Sequence, residues 1–522
     1  MRGAWSSRWL VIPVLLIALA ARGLEVSRQD TIHNDAPRFL EIAEDFERGD
    51  WRTALMEDFH PLTGLLIAGL GLATPLDSSG AGTLLGVLFG TLLVASVWAL
   101  TRDQLGPSVA LLAGLCAAVH PRFVAVSSGI QSDGIFLGLF ALAWLCAWRA
   151  LRRDRLGPAL AAGACCGLAY LTRPEGLAIG VVLAVWLAVD LVRGARRLAP
   201  TLAIGAAFVL ALLAVASPYL WALHEITGTW MLSQKKSIAS IAGIDELLDP
   251  NAEAAPPPLP APAALQPRRP EAPASAAPAP EPQLQPPPGP PSYLGRIAAA
   301  LGEVIKDGAR ACPPTMLLIA LFGFRRRRPG PAALTLLGFG ALFMTLLVGL
   351  HLSVGYVSRR HWLPVVLFLL PFAGRGLWTL GRMLDARFPA FAARPWAGPA
   401  MVGLIVAGFL VEMATNPPDP AKLARREAAS WLRSHAGGGA VAAQRAREAF
   451  YAGADEFVQL NEAYPPETVL EKGSADFMLI DESVLTPDDA GNRARMLHRV
   501  TYPGGAVLVF AIARVADPRP GP

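Results

Sequence analysis

The fold of this chain is decided by the stretch 81-AGTLLGVLFGTLLVASVWALT-101, which runs for 21 residues without a charged side chain. A helix needs about 20 mainly apolar residues to cross the hydrocarbon core of a bilayer. Similar runs recur along the 522 residues, of which 53% are apolar and only 17% charged. Soluble domains carry about 25% charged residues. The pattern therefore excludes a plain soluble enzyme and a disordered chain, and it predicts a polytopic α-helical membrane protein.

Basic clusters between the apolar runs predict how the chain is oriented. Arginines near span ends lie preferentially on the cytoplasmic side, so the net charge of +5 reflects topology and does not indicate nucleic-acid binding. With all clusters inside, the run 81–101 passes from outside to inside, and the short apolar stretch 61–76 lies on the outer surface. The clusters are Arg152, Arg153 and Arg155; Arg193, Arg196 and Arg197; residues 325–328; and Arg375, Arg382 and Arg387.

This orientation predicts about eleven spans, with the amino terminus inside and the carboxyl terminus outside. The first run also resembles a signal peptide, whose removal would leave the downstream topology unchanged. The predicted spans lie near 9–24, 81–101, 108–127, 134–151, 158–172, 174–192, 199–219, 313–324, 331–351, 361–380 and 397–414.

Three regions outside the spans complete the domain organisation. The second region, residues 220–311, contains the stretch 250–291, in which 17 of 42 residues are proline. We expect this stretch to form an extended spacer. The third region, residues 415–522, begins with a helical pattern at 419–435 and continues with strand-like runs. This order predicts a small extracytoplasmic α/β domain. The strand-like runs are 439–443, 475–480 and 505–513. The predicted domains are 1–24, 25–80, 81–219, 220–311, 312–414 and 415–522.

Acidic residues are scarce in the spans and frequent in the first loop, residues 25–80. Its segment 34-NDAPRFLEIAEDFERGDW-51 has Asp35 at a helix N-cap and Pro37 in the first turn. Apolar residues recur at helical spacing after them, at Phe39, Ile42, Ala43 and Phe46. Taken alone, this spacing favours a surface helix capped by Asp35, with its acids solvated.

Several short motifs nevertheless resemble a known family. Asp35-x-x-Arg-Phe-x-Glu-Ile-Ala, followed by Gly-Asp-Trp at 49–51 and His-Pro at 60–61, is similar to the first outer loop of GT-C glycosyltransferases. The resemblance is to the family 39 group, which includes protein O-mannosyltransferases and the aminoarabinose transferases of lipid A. It covers about residues 10–380. The further motifs are HPRFVAVS at 120–127 with Ser132-Asp133, LAYLTRPEG at 168–176 and RHWLP at 360–364.

The resemblance implies a GT-C fold and an inverting hexosyl- or pentosyltransferase that uses a sugar on a polyprenyl phosphate. It places the family's catalytic aspartate on Asp35, while the second acid of many members is replaced by Ala36. Such chemistry needs a carboxylate to take the proton of the acceptor hydroxyl, and cations to meet the charge on the leaving phosphate. The candidate phosphate ligands are Arg360, Arg173, Arg122 and Arg38, and the candidates for positioning a substrate are His60 and Asp133.

Three of these candidates also have purely structural interpretations. Arg360, which follows Arg359, fits an interfacial anchor whose guanidinium extends towards lipid headgroups. Arg173 and Glu175 fit an ion pair at a helix break. Asp133 fits the N-cap of the next span.

The resulting hypothesis is a glycosyltransferase of the bacterial inner membrane, with a polyprenyl-phosphate sugar as donor and a lipid, glycan or protein as acceptor. No metal ligands are assigned, and the cofactor stays unknown, because the sequence does not support a divalent metal site. The five cysteines predict neither a disulfide framework nor a zinc site. The alternatives are a transporter or flippase of lipid-linked glycans and a catalytically degenerate GT-C-like binding subunit.

Overall fold

The computed structural model describes most of the chain. The described residues are 8–228, 230–233, 293–312, 314–325, 331–354, 357–388, 403–405, 407–408, 411, 419–436, 438–461 and 464–513. The proline-rich stretch 250–291 and most of the predicted span 397–414 lie outside them.

The amino-terminal part is helical throughout. Its helices are α1 (Val11–Arg28), α2 (Ala36–Glu47), α3 (Trp51–Met56), α4 (Leu62–Ala73), α5 (Ser78–Leu105), α6 (Pro107–Val119), α7 (Pro121–Val126), α8 (Ser132–Arg153), α9 (Leu156–Tyr170), α10 (Ala178–Val192) and α11 (Leu198–Thr227). They continue with α12 (Tyr293–Ala311), α13 (Pro314–Arg325), α14 (Pro331–Val354) and α15 (Leu363–Arg387). Short 3-10 turns at Pro174–Leu177 and Arg359–Trp362 lead into α10 and α15.

Five helices within the described ranges are long and apolar enough to cross a membrane, as predicted for a polytopic membrane protein. They are Ser78–Leu105, Ser132–Arg153, Pro174–Val192, Leu198–Thr227 and Arg359–Arg387. Shorter apolar helices occupy other predicted spans: Pro107–Val119, Leu156–Tyr170, Thr315–Phe324 and Gly338–Leu352. The count of eleven spans and their sidedness stay predictions.

The predicted span 108–127 is not one helix. It is divided into α6 and α7, because His120 has an extended backbone ahead of Pro121. A residue that precedes proline is sterically disfavoured in the α conformation. The break turns α7 and residues 127–131 towards the start of α8, and this turn forms one wall of the site described below.

A fully buried arginine ties the first helix to this wall. Arg22 of α1 donates from Nε to Ser127 Oγ (2.8 Å) and from Nη1 to the carbonyl oxygens of Ala18 (3.1 Å) and Ala118 (3.2 Å). Gly90 of α5 leaves room for it, since a Cβ there would lie 2.4 Å from both Arg22 Nε and Ser127 Oγ. Burying a polar group is tolerated when it is hydrogen-bonded, and here those bonds join three parts of the bundle.

The carboxyl-terminal part is an α/β domain, as predicted. Its elements are α16 (Pro420–Ala436), β1 (Ala440–Ala443), α17 (Ala446–Ala452), β2 (Glu456–Gln459), α18 (Pro466–Lys472), β3 (Phe477–Asp481), α19 (Pro487–Ala490), β4 (Ala494–Tyr502) and β5 (Gly505–Ile512). The sheet order is β2-β1-β3-β5-β4, with β1 parallel to β2 and β3, and β5 antiparallel to its neighbours. The register sets Ala442 beside Met478 and Met478 beside Phe510. The helix and three strands follow the predicted runs, whereas β2 and β4 were not predicted.

The α/β domain is attached to the first loop through backbone groups of that loop. The backbone N–H of Ile32 donates to the Tyr451 hydroxyl at 2.7 Å. The guanidinium of Arg426 donates to the carbonyl oxygen of Asp30. These contacts bring α16 and the end of α17 close to residues 30–32.

We expect Gly90→Ala to destabilise the protein by about 1–3 kcal/mol, the usual range for overpacking, because the new methyl group displaces Arg22 and Ser127. The free energy of unfolding in mixed detergent micelles would measure the effect. Gly69→Ala in α4 is the matched control, since a Cβ there meets no atom within 4 Å. Equal stability of the two variants would contradict this account of Gly90.

Candidate active site

A cavity in the described part of the chain has a volume of about 990 Å³. It lies where the first loop, residues 121–131, the turn before α15 and the α/β domain meet. Its described lining is rich in charge, with seven basic and five acidic residues. The basic ones are Arg28, Arg122, Arg310, Arg359, Arg360, Lys422 and Arg447, and the acidic ones are Glu25, Asp30, Asp35, Asp307 and Asp419.

Asp35 and Arg360 form an ion pair in the wall of this cavity, although 325 positions separate them. Asp35 Oδ2 accepts from Arg360 Nη1 at 2.6 Å. Asp35 stands at the N-cap position of α2, as expected, but its side chain makes no capping hydrogen bond. The interpretation of Asp35 as a solvated cap is therefore wrong, because a charge-assisted hydrogen bond to a guanidinium takes the carboxylate instead.

Asp133 extends this pair into a chain of alternating charges. Its Oδ2 lies 3.8 Å from Arg360 Nη1, and its Oδ1 accepts from Arg173 Nη1 at 2.8 Å. Arg173 also donates from Nη2 to Glu175 Oε1 at 3.0 Å, so the predicted Arg173–Glu175 pair is present. Asp133 does not cap α8, whose N-cap is Gln131. Its carboxylate, only 5% exposed, is held by the two arginines.

His33 adds a titratable group beside the base candidate. The backbone N–H of Asp35 donates to His33 Nδ1 at 3.3 Å, and that nitrogen lies 3.8 Å from Asp35 Oδ2. Burial lowers the pKa of His33 below its ordinary value of 6.5, although the charge of Asp35 opposes the shift. His33 is thus neutral near pH 7 and serves as an acceptor next to Asp35.

The other predicted site residues divide into two groups. Arg122 lines the cavity, as a phosphate ligand should. Arg38 and His60 are not among the described residues of the lining. Arg38 Nη1 pairs with Glu41 at 2.8 Å and lies 3.7 Å from Glu57.

His60 is buried 5.3 Å from the Tyr170 ring and 5.6 Å from the Tyr219 ring, measured between centroids. Its surroundings therefore include two aromatic rings, and it is not part of the described cavity lining.

The cavity lining also includes four residues that were not predicted as site residues: Arg447, Lys422, Arg310 and His33. The sequence position of His33 could have indicated a site residue, since His33 lies two residues before Asp35. The positions of Arg447 and Lys422 gave no such indication, because only the folded α/β domain brings them to the cavity. No group of three or more His, Cys, Asp or Glu that could hold a metal ion occurs in the part of the chain that the structure describes.

Comparisons with known proteins identify the class of fold. Residues 59–221 match the family model described as Dolichyl-phosphate-mannose-protein mannosyltransferase. A comparison with curated protein sequences gives no match. The predicted resemblance to GT-C superfamily glycosyltransferases is confirmed, and the chain has the fold of these polytopic membrane proteins.

Particular solved structures share this fold over nearly the whole chain. ArnT from Cupriavidus metallidurans, solved bound to undecaprenyl phosphate and in the apo state, is 15% identical, with a TM-score of 0.55 over 98% of this chain and 99% of ArnT. The Archaeoglobus fulgidus oligosaccharyltransferase, in a complex with Zn and sulfate, is 12% identical, with a TM-score of 0.52 over 96% of this chain and 73% of that protein.

We expect Asp133→Asn to lower the free energy of unfolding by about 3 kcal/mol, since removing one partner of a buried ion pair leaves the other uncompensated. Titration with denaturing detergent would measure the loss. Asp103→Asn, whose partner Arg149 at 2.8 Å is 30% exposed, is the matched control and should cost less. An Asp133→Asn protein as stable as the wild type would contradict the chain of charges.

Proposed function

We propose that the protein is an inverting integral-membrane glycosyltransferase, which transfers a sugar from a polyprenyl-phosphate donor to an acceptor hydroxyl. The reaction takes place on the outer face of the bacterial inner membrane, where the α/β domain also lies. The observation that carries the proposal is the Asp35–Arg360 pair in the cavity wall, because it combines a base candidate and a phosphate ligand at one place.

Asp35 is the general base in this proposal. A base must lie within hydrogen-bond reach of the hydroxyl whose proton it removes, and Asp35 borders the cavity with its side chain 21% exposed. Arg360 orients the Asp35 carboxylate through a charge-assisted hydrogen bond of 2.6 Å. The proton of the acceptor passes to Asp35 as the hydroxyl oxygen attacks the anomeric carbon and the bond to the phosphate oxygen breaks.

Arg360 is the principal ligand of the donor phosphate. It precedes the long apolar helix α15, so it lies where a phosphate on a membrane-embedded polyprenyl tail reaches the cavity. Its guanidinium can turn from Asp35 to the phosphate and neutralise the charge that grows on the leaving oxygen. Arg122, on the neighbouring wall, is a second ligand. ArnT, which shares the fold, has been solved with undecaprenyl phosphate, and this supports the donor class.

Arg173 and Asp133 act as positioning residues. Arg173 fixes Asp133 at 2.8 Å, and Asp133 in turn lies beside Arg360, so the pair orients the guanidinium that faces the cavity. Arg38 and His60 have no role in the proposal, since their contacts turn them to other groups.

We expect Asp35→Asn to reduce turnover by about 10²–10⁴-fold, the contribution typical of a general base. Release of radiolabelled sugar from a set of polyprenyl-phosphate donors would measure it. Glu41→Gln is the matched control, because Glu41 lies in the same helix and pairs with Arg38. Full turnover in Asp35→Asn would remove Asp35 as base, and donor binding without turnover in the wild type would favour a binding subunit.

We expect Arg360→Gln to reduce turnover by about 10²–10³-fold, as for the loss of one donor to a developing oxyanion. Arg360→Lys should recover only part of it, because lysine cannot bind phosphate in the bidentate manner. The same release assay applies, with Arg38→Gln as the comparison. A larger loss in Arg38→Gln than in Arg360→Gln would reverse the assignment of the phosphate ligand.

A further inference from the structure

Arg447 of the α/β domain is a buried cation in the wall of the cavity. Its residue exposure is only 7%, and its Nη2 has no hydrogen-bond partner among the described residues. Burial lowers the pKa of Arg447. A buried guanidinium nitrogen that lacks a hydrogen-bond acceptor loses solvation without full compensation. An anion in the cavity would supply the missing acceptor.

The fold explains why this arginine reaches the cavity. Arg447 follows β1, at the carboxyl end of the parallel strands, which is the edge where open α/β sheets bind their ligands. The hydroxyl of Tyr451 accepts from the backbone of Ile32 and holds α17 on the first loop. The neighbouring acid does not neutralise Arg447 through a hydrogen bond, since Glu448 lies 3.8 Å from Arg425 instead.

Arg447 and Arg360 approach the cavity from different parts of the molecule. Arg360 precedes the apolar helix α15, whereas Arg447 belongs to the domain that follows the helical part. The charges of both arginines lower the pKa of His33, which places His33 within electrostatic reach of each. Under the proposed function, Arg360 and Arg122 hold the donor phosphate. Arg447, which comes from a separate part of the chain, is then available for a second anionic group in the same cavity.

We propose that Arg447 binds an oxyanion, phosphate or carboxylate, of the acceptor substrate and so selects anionic acceptors. The identification of the ligand as the acceptor rests on the proposed function, whereas the presence of an anion site does not. Lys422 of α16 lines the same cavity and adds a positive charge that attracts the same group. A guanidinium binds phosphate and carboxylate oxygens in a bidentate manner. We therefore expect the protein to prefer anionic glycolipids over neutral ones.

The test measures binding to the full-length protein in a non-ionic detergent by calorimetry. The probes are decyl glucoside, decyl glucoside 6-phosphate and decyl glucuronide, and undecaprenyl phosphate is titrated in parallel. We expect the wild type to bind one or both anionic probes about tenfold or more tightly than decyl glucoside, as for hydrogen bonds to charged groups. The stronger of the two anionic probes identifies the group as phosphate or carboxylate.

Arg447→Gln should lose this preference and keep its affinity for undecaprenyl phosphate. Arg445→Gln, which removes the same charge two residues away and outside the described cavity lining, should change neither. Arg447→Lys keeps the positive charge but cannot bind an oxyanion in the bidentate manner of a guanidinium. It should show an intermediate preference for the anionic probes, even where the glutamine variant does not fold.

Equal binding of all three glucosides by the wild type would overturn the proposal, and so would an unchanged preference in Arg447→Gln. A loss of undecaprenyl-phosphate binding in Arg447→Gln would overturn it as well, because Arg447 would then be a ligand of the donor. Anionic preference without any binding of undecaprenyl phosphate by the wild type would contradict the proposed function while supporting the anion site.

Discussion

The candidate active site depends on one series of alternating charges, which runs from Asp35 through Arg360, Asp133 and Arg173 to Glu175. Its members come from four separate stretches of the chain, and each charge is neutralised by the next. Removing such charges from water is unfavourable without partners, so each stretch is stabilised in this arrangement by the charges of the others. The geometry of the cavity follows from that mutual stabilisation, because Asp35 and Arg360 are the members that border it.

Much of the fold could be predicted because lipid permits few backbone arrangements. Helices satisfy their own hydrogen bonds, and uninterrupted apolar runs such as 81–101 therefore mark them reliably. The predicted span 108–127 contains His120-Pro121, and its apolar composition alone did not predict the break between α6 and α7 at this position. The short strand β2 was missed as well, since its four residues pair through a register that only the assembled sheet defines.

The site was predictable where short motifs carried it. Asp35, Arg360, Asp133 and Arg173 stand in such motifs, and the structure brings all four together. Arg38 shares a motif with Asp35, yet one helical turn directs it to Glu41 instead. Arg447 shows the opposite case, because no local pattern distinguishes it from the other 40 arginines. Long-range contacts decide such residues, and sequence spacing does not contain them.

The attachment of the α/β domain has a consequence for how this protein can diverge. Arg426 and Tyr451 hold backbone atoms of Asp30 and Ile32, and these atoms persist with any side chain at position 30 and with any residue except proline at position 32. Mutations at 30 and 32 can therefore alter the cavity rim without releasing the domain. New acceptor preferences can therefore evolve with little loss of stability, since the side chains that vary are distinct from the groups that hold the two parts together.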